Sequence, residues 1–187
     1  MKRTLFALAL AAALPISAQA GELSYNYIQG GYSAANVDGT DFNGFGLKGS
    51  FAFNENFYGF ASYESGDESG VDLNQTSLGA GWHTSGDTQW FVEASFVKNE
   101  IDYGGGFSFD DDGYSVAGGV RAKLSDKFEL NGKLTYTDVG DFGDGIGAGV
   151  GALLSFNDTW GAYASYDYSD RGDFDMDTFS VGVRASF

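Results

Sequence analysis

Nine residues at the C-terminal end, Phe179 to Phe187, alternate without a break. Phe179, Val181, Val183, Ala185 and Phe187 are apolar, with Ser180, Gly182, Arg184 and Ser186 between them. A period of two puts the two sets on opposite faces of a β-strand, one fit for lipid or a core and the other for water. The same alternation recurs upstream. Trp160, Ala162, Ala164, Tyr166 and Tyr168 oppose Gly161, Tyr163, Ser165 and Asp167, and Trp90, Val92, Ala94 and Phe96 oppose Glu93 and Ser95. The N-terminal half is less regular. In Leu23–Ser33 the register is ambiguous, because Tyr25 and Tyr27 fall on the opposite parity from Ile28 and Tyr32. The single proline is Pro15, so nothing downstream interrupts a sheet ladder.

Met1–Ala20 reads as a cleavable signal peptide. Lys2 and Arg3 form its basic start, Leu5–Leu14 its apolar run, and Ala18-Gln19-Ala20 its cleavage site. An apolar run of about ten residues is too short to cross a bilayer as a helix. Removing 20 of the 187 residues leaves 167, from Gly21 to Phe187, enough for one domain. An exported chain of alternating strands with no long apolar helix can cross a membrane only as a closed barrel. The fold expected is therefore all-β: a closed antiparallel up-and-down barrel of ten strands, with eight as the alternative, in the bacterial outer membrane. Ser180, Gly182, Ala185 and Phe187 then fill the polar-x-Gly-x-x-apolar-x-aromatic end that the barrel assembly machinery reads.

Connections of two kinds alternate along the chain. Short ones stand at Asn54–Asn56, Thr84–Asp87, Ser125–Lys127 and Asn157–Thr159, and longer ones at Ala34–Asp41, Ser65–Asp72, Glu100–Asp112, Asp138–Asp144 and Ser169–Asp177. Short periplasmic turns and longer outer loops are expected of such a barrel. Phe53, Phe57, Trp82, Trp90, Phe128, Phe156 and Trp160 bracket the short turns and, with Phe187, would form the inner interfacial girdle. Tyr63, Tyr114, Tyr136, Tyr168 and Phe179 are candidates for the outer one.

The longer connections hold 17 of the 26 acids, with Arg171 the one base among them. Loss of the leader's two bases takes the net charge from −16 to −18. That balance excludes nucleic acid as a partner. The rim reads as a solvated acidic surface; the sharper alternative is that its carboxylates recruit Ca²⁺ or Mg²⁺ and bridge to lipopolysaccharide phosphates. Asp173, Asp175 and Asp177 have the spacing of a calcium-loop start but lack its Gly and distal Glu. Facing the lumen, Lys48, Glu93, Arg121, Lys123, Glu129, Lys133 and Arg184 are expected to form a paired network, because buried charge must be paired. A closed or very narrow bore follows, with a basic-lined pore as the alternative.

No enzyme is expected. The one histidine, His83, stands beside a short turn at the predicted periplasmic end, away from the outer acids, and no nucleophile elbow or phosphate loop is present. The absence of cysteine rules out a disulfide frame. No cofactor is expected, and the chain is expected to be a monomer in outer-membrane lipid.

Leu23–Tyr32, Asp38–Asp41, Gly46–Ser50, Asn56-Phe57 and Trp160-Gly161 occur in an order and wording that resemble a family of small xanthomonad outer-membrane proteins known as sulfation-dependent quorum factors. The likeness is distinctive over the first seventy residues and pattern-level beyond. It implies a secreted outer-membrane barrel, with shedding in vesicles, links to motility, biofilm and virulence, and a signalling role attached to a sulfated tyrosine that maps to Tyr25. Tyr25 lies in the predicted first strand with Glu22 the nearby acid, which favours a lumen or interface role for it.

Overall fold

Ten antiparallel strands close on themselves in sequence order, and β1 pairs with β10 to complete the barrel. A computed structural model describes residues 23–171 and 175–187; the predicted signal peptide lies outside the described residues. The strands are β1 (Tyr27–Val37), β2 (Thr40–Ala52), β3 (Phe57–Glu68), β4 (Val71–His83), β5 (Thr88–Asp102), β6 (Ser108–Ser125), β7 (Phe128–Asp138), β8 (Asp144–Ser155), β9 (Trp160–Asp170) and β10 (Asp175–Ser186). The ten-stranded expectation holds, and the eight-stranded alternative falls.

The ambiguous first strand is resolved by an offset. β1 starts at Tyr27, opposite Ser186 of β10 and Ser50 of β2. Residues Leu23–Asn26 precede the ladder, and Leu23 and Tyr25 are buried. Tyr27 and Ser33 are buried inside the barrel while Tyr32 is exposed outside it. The opposed parities thus belong to two real faces, both carrying aromatics.

Outside, Leu78 of β4, Phe96 of β5, Leu134 of β7 and Val150 of β8 are exposed. Against water such a surface would be a liability; against lipid it is the required solvent match. Inside, β8 presents Gly145, Gly147, Gly149 and Gly151, a strip that leaves room for facing side chains. A Cβ on Gly149 would meet Asp167 Oδ1 at 2.2 Å, and one on Gly151 would meet the Asn131 amide at 2.9 Å.

The long outer loops are corrected. Asp38-Gly39 and Ser69-Gly70 are two-residue turns, with φ of 49° and 84° and of 50° and 86°. Two left-handed residues in succession are what a tight hairpin matched to strand twist requires. The residues expected to be loop are mostly strand. At about 3.3 Å per residue the 15 residues of β5 reach roughly 50 Å, or roughly 35 Å when tilted by about 45°, beyond a hydrocarbon core of about 30 Å. The β5–β6 ladder therefore continues past the membrane, and with the acids at the same end of the neighbouring strands it forms a paired acidic collar.

Candidate functional site

Strand parity sends a set of long polar and aromatic side chains into the bore, and they meet in one layer near the short-turn end. Arg121 of β6 grips Glu129 of β7 in a two-pronged bond, Nε to Oε1 at 2.7 Å and Nη2 to Oε2 at 2.9 Å. Its Nη1 donates to the Ser24 carbonyl at 3.2 Å, and the guanidinium lies 4.4 Å from the Tyr25 ring centre. Tyr25 stacks on His83 at 3.9 Å and 10°, and packs 4.3 Å from Tyr58. Tyr58, only 2% exposed, donates its hydroxyl to Glu93 Oε1 at 2.8 Å. Lys48 Nζ stands 3.9 Å from that same carboxylate oxygen. On the other wall Arg184 donates twice to Gln29 Oε1, at 2.9 and 2.6 Å, and covers Tyr27. Charges withdrawn from water are thus matched by partners, as their desolvation demands.

Two cavities flank this layer. The outer one, about 320 Å³, is lined by Glu64, Lys133, Asp167 and a series of serines and threonines such as Ser77, Ser115 and Thr135. The inner one, about 220 Å³, opens among Lys123, Asp126, Ser155 and Asn157. Arg121, Glu129 and Arg184 line both, so the layer stands between them.

Above the membrane the collar is stiffened by a repeated cross-strand bond. Tyr63 donates to Asn74 at 2.6 Å, Tyr168 to Asp175 at 3.1 Å and Tyr136 to Asp144 at 3.3 Å; Tyr32–Asn43 and Tyr166–Asp177 make the same contact. In each case the acceptor stands two residues outward from the tyrosine's direct partner on the next strand, for example Thr76 for Tyr63 and Phe179 for Tyr166. The diagonal fits the reach of a long ring across a pleated sheet. Each hydroxyl therefore links the aromatic outer girdle to a polar group in the collar. Lys98, within β5, adds a base the loop reading missed: its Nζ is 2.8 Å from Asp110.

Asp111, also in the collar, accepts N–H bonds from Asp141 at 2.7 Å and Asp112 at 2.8 Å. The first of these caps the short 3-10 turn Gly140–Phe142. The two bonds favour the ionised carboxylate and hold its pKa below the usual Asp value, the Asp141 N–H contributing most. With the folded-state pKa depressed, the capping contribution is full above the ordinary Asp pKa and fades as pH falls through the lowered one. Asp111→Ala is expected to speed proteolytic nicking in the Val139–Gly143 turn several-fold at neutral pH. The barrel core should remain resistant, and an unchanged digestion pattern would count against the capping role.

The sequence-predicted residues fall as follows. Lys48 with Glu93, Arg121 with Glu129, and Lys133 with Asp167 (2.9 Å) sit in the bore. Arg184 pairs with an amide rather than an acid, and Lys123 reaches Asp126 at 3.1 Å in the adjoining turn. Phe53, Phe57, Trp82, Trp90, Phe128, Phe156 and Trp160 are exposed around the short-turn end, and Phe187 is half-buried there. Ser180 lines the outer cavity, Gly182 lies against Gly31, and Ala185 faces Ile28. Asp173 lies outside the described residues; Asp175 and Asp177 accept tyrosine hydroxyls. Among the described residues no group of three or more His, Cys, Asp or Glu side chains is placed to hold a metal ion. Tyr25, expected in the lumen or at an interface, is a bore residue; sequence reasoning missed Tyr27, Tyr58, Phe60 and His83 there. Tyr25 is 5% exposed, and its hydroxyl is enclosed in the bore.

A family model described as an outer membrane protein beta-barrel domain matches residues 6–144. Among solved structures, the chain is similar to the translocator domain of the autotransporter NalP from Neisseria meningitidis, at 15% identity and a TM-score of 0.47, covering 100% of this chain and 94% of that one. It is similar to the KdgM porin at 12% identity and 0.49, covering 86% and 99%. The attachment invasion locus protein Ail of Yersinia pestis is similar at 20% identity and 0.42, covering 86% and 97%. No curated protein matches the chain.

Proposed function

The chain belongs to the outer membrane protein β-barrel domain family, and on that premise we propose that it acts at the bacterial cell surface through its acidic collar, with the barrel as anchor. The observation that carries this is the collar's form: acids such as Asp67, Asp72, Asp102 and Asp110 stand on hydrogen-bonded strands rather than on loose loops. A surface already ordered loses little entropy on binding.

Its neighbours in the outer leaflet are lipopolysaccharide phosphates, which acidic side chains repel unless cations stand between them. Mg²⁺ and Ca²⁺ suit that place, since both take oxygen ligands and share them between donors. A carboxylate that accepts one tyrosine hydroxyl keeps an oxygen for such an ion. The ion would be shared between protein and phosphate rather than caged by protein. Any contribution to biofilm, motility or virulence would be exerted through this surface.

The test is thermal. In lipopolysaccharide with Mg²⁺, the temperature at which the folded band on an unheated gel disappears should rise by several degrees over detergent alone. EDTA should abolish the rise, and Asp67→Asn/Asp72→Asn/Asp102→Asn/Asp110→Asn should remove most of it. A rise insensitive to EDTA and to these changes ends this reading.

A further inference from the structure

The segment Leu23–Asn26 is the part of the layer across the bore that is not barrel wall. It lies before the first ladder pair, Tyr27 with Ser186 and Ser50, and so it can leave the bore without breaking any strand pairing. Yet it is placed inside, with Leu23 and Tyr25 buried. Its attachments are few: the Phe187 N–H donates to the Asn26 carbonyl at 3.0 Å, and the Ala52 N–H to Asn26 Oδ1 at 2.7 Å. Arg121 holds the Ser24 carbonyl, and the Tyr25 ring fills the space among Arg121, His83 and Tyr58. The other members of the layer belong to wall strands; Arg121 and Glu129 stand on the adjacent strands β6 and β7. Water-sized space exists on both sides, in the cavities of about 320 and 220 Å³.

We propose that Leu23–Asn26 is a removable plug, and that its withdrawal joins the two cavities into a path for small cations across the membrane. The activity goes beyond the surface role proposed above and does not depend on it. Charges lining the two cavities nearly cancel, Lys48, Lys123, Lys127, Lys133, Arg121, Arg171 and Arg184 standing against Glu64, Glu93, Asp126, Glu129, Asp158 and Asp167. The acidic collar over the outer mouth therefore sets the ion preference, by raising the local cation concentration.

The experiment is planar-bilayer recording on the refolded full-length mature protein, with folding scored by heat-modifiable gel mobility. Unmodified protein should show brief, rare openings. Tyr25→Ala should show steady single-channel steps with at least tenfold greater open time and a reversal potential that favours K⁺ over Cl⁻. A folded Tyr25→Ala protein as silent as the unmodified one overturns the proposal, as does unmodified protein that already conducts to the same extent. Should Tyr25→Ala not fold, thiol labelling decides, because a chain with no cysteine gives a unique site with each one introduced. A membrane-impermeant maleimide should label Ser24→Cys at least tenfold more slowly than Asp158→Cys in the exposed Asn157–Thr159 turn. Equal rates would show that the segment is not seated in the bore.

Discussion

Glu129→Ala is expected to destabilise the folded barrel by about 3–5 kcal/mol, the usual cost of leaving one member of a buried ion pair without the other. The side chains of Arg121 and Glu129 are each only 9% exposed, and they share two short bonds. Once the carboxylate is gone, the guanidinium keeps the Ser24 carbonyl and the face of Tyr25. Neither carries a compensating negative charge. Urea titration of the refolded protein, followed by tryptophan emission and by gel mobility, should move to a clearly lower midpoint with the slope unchanged.

Two companion variants separate this account from simple disruption. Arg121→Met with Glu129→Leu removes both charges while keeping bulk, and should recover most of the loss, because the expense of breaking such a pair lies in the orphaned ion. Lys98→Ala breaks a pair of similar length, Lys98 with Asp110, whose side chains are 45% and 55% exposed. It should leave the midpoint where it was, since water and salt screen exposed pairs. A double variant as unstable as Glu129→Ala would shift the explanation from charge to packing.

These pairs show what was legible in the chain and what was not. Period-two alternation placed Arg121, Glu129, Lys133 and Lys48 on the inner face, since parity is a local property. Which of them meet depends on register and tilt. Asp167 as the partner of Lys133, and Gln29 as that of Arg184, lie 34 and 155 positions away in sequence and emerge only once the strands are laid side by side. Tyr25 and Tyr27 were hard for a different reason. An aromatic in a membrane strand suggests the lipid side, yet here rings also fill the bore, so residue type and parity disagreed. The collar misled through composition: Asp, Gly and Ser are turn formers, and stretches rich in them looked like loops. Asp38-Gly39 and Ser69-Gly70 nevertheless carry the two-residue hairpin signature. Read strictly, those dipeptides would have shortened the first two of the five loops to what the structure has. The tyrosine bonds were legible only as spacing, with Tyr32–Asn43, Tyr63–Asn74 and Tyr166–Asp177 each 11 residues apart.

Gly182→Ala should cut the yield of folded, heat-modifiable barrel at least tenfold, by obstructing the seam where the sheet closes. Gly31 of β1 and Gly182 of β10 are direct partners there. A Cβ on Gly182 would lie 2.3 Å from the Gly30 carbonyl oxygen and 2.6 Å from the Gly31 Cα; one on Gly31 would lie 2.2 Å from the Val181 oxygen. These neighbours are backbone, so no rotamer change relieves the contact and the strands themselves must part. Gly118→Ala is the matched control. It is the same exchange in the middle of another strand, where the nearest atom, the Phe91 carbonyl oxygen, is 3.9 Å away. There the exchange should be neutral or stabilising by about 0.4–1 kcal/mol, because alanine restricts the unfolded chain. The two substitutions share their chemistry and their unfolded-state effect, and differ in the room available for one methyl group. If both variants fold equally well, the seam is not held by that close approach. If Gly182→Ala alone fails, Gly182 is required by backbone contact at closure, independently of any reading of the terminal strand by the assembly machinery. That requirement would hold equally for refolding into detergent, where no such machinery is present.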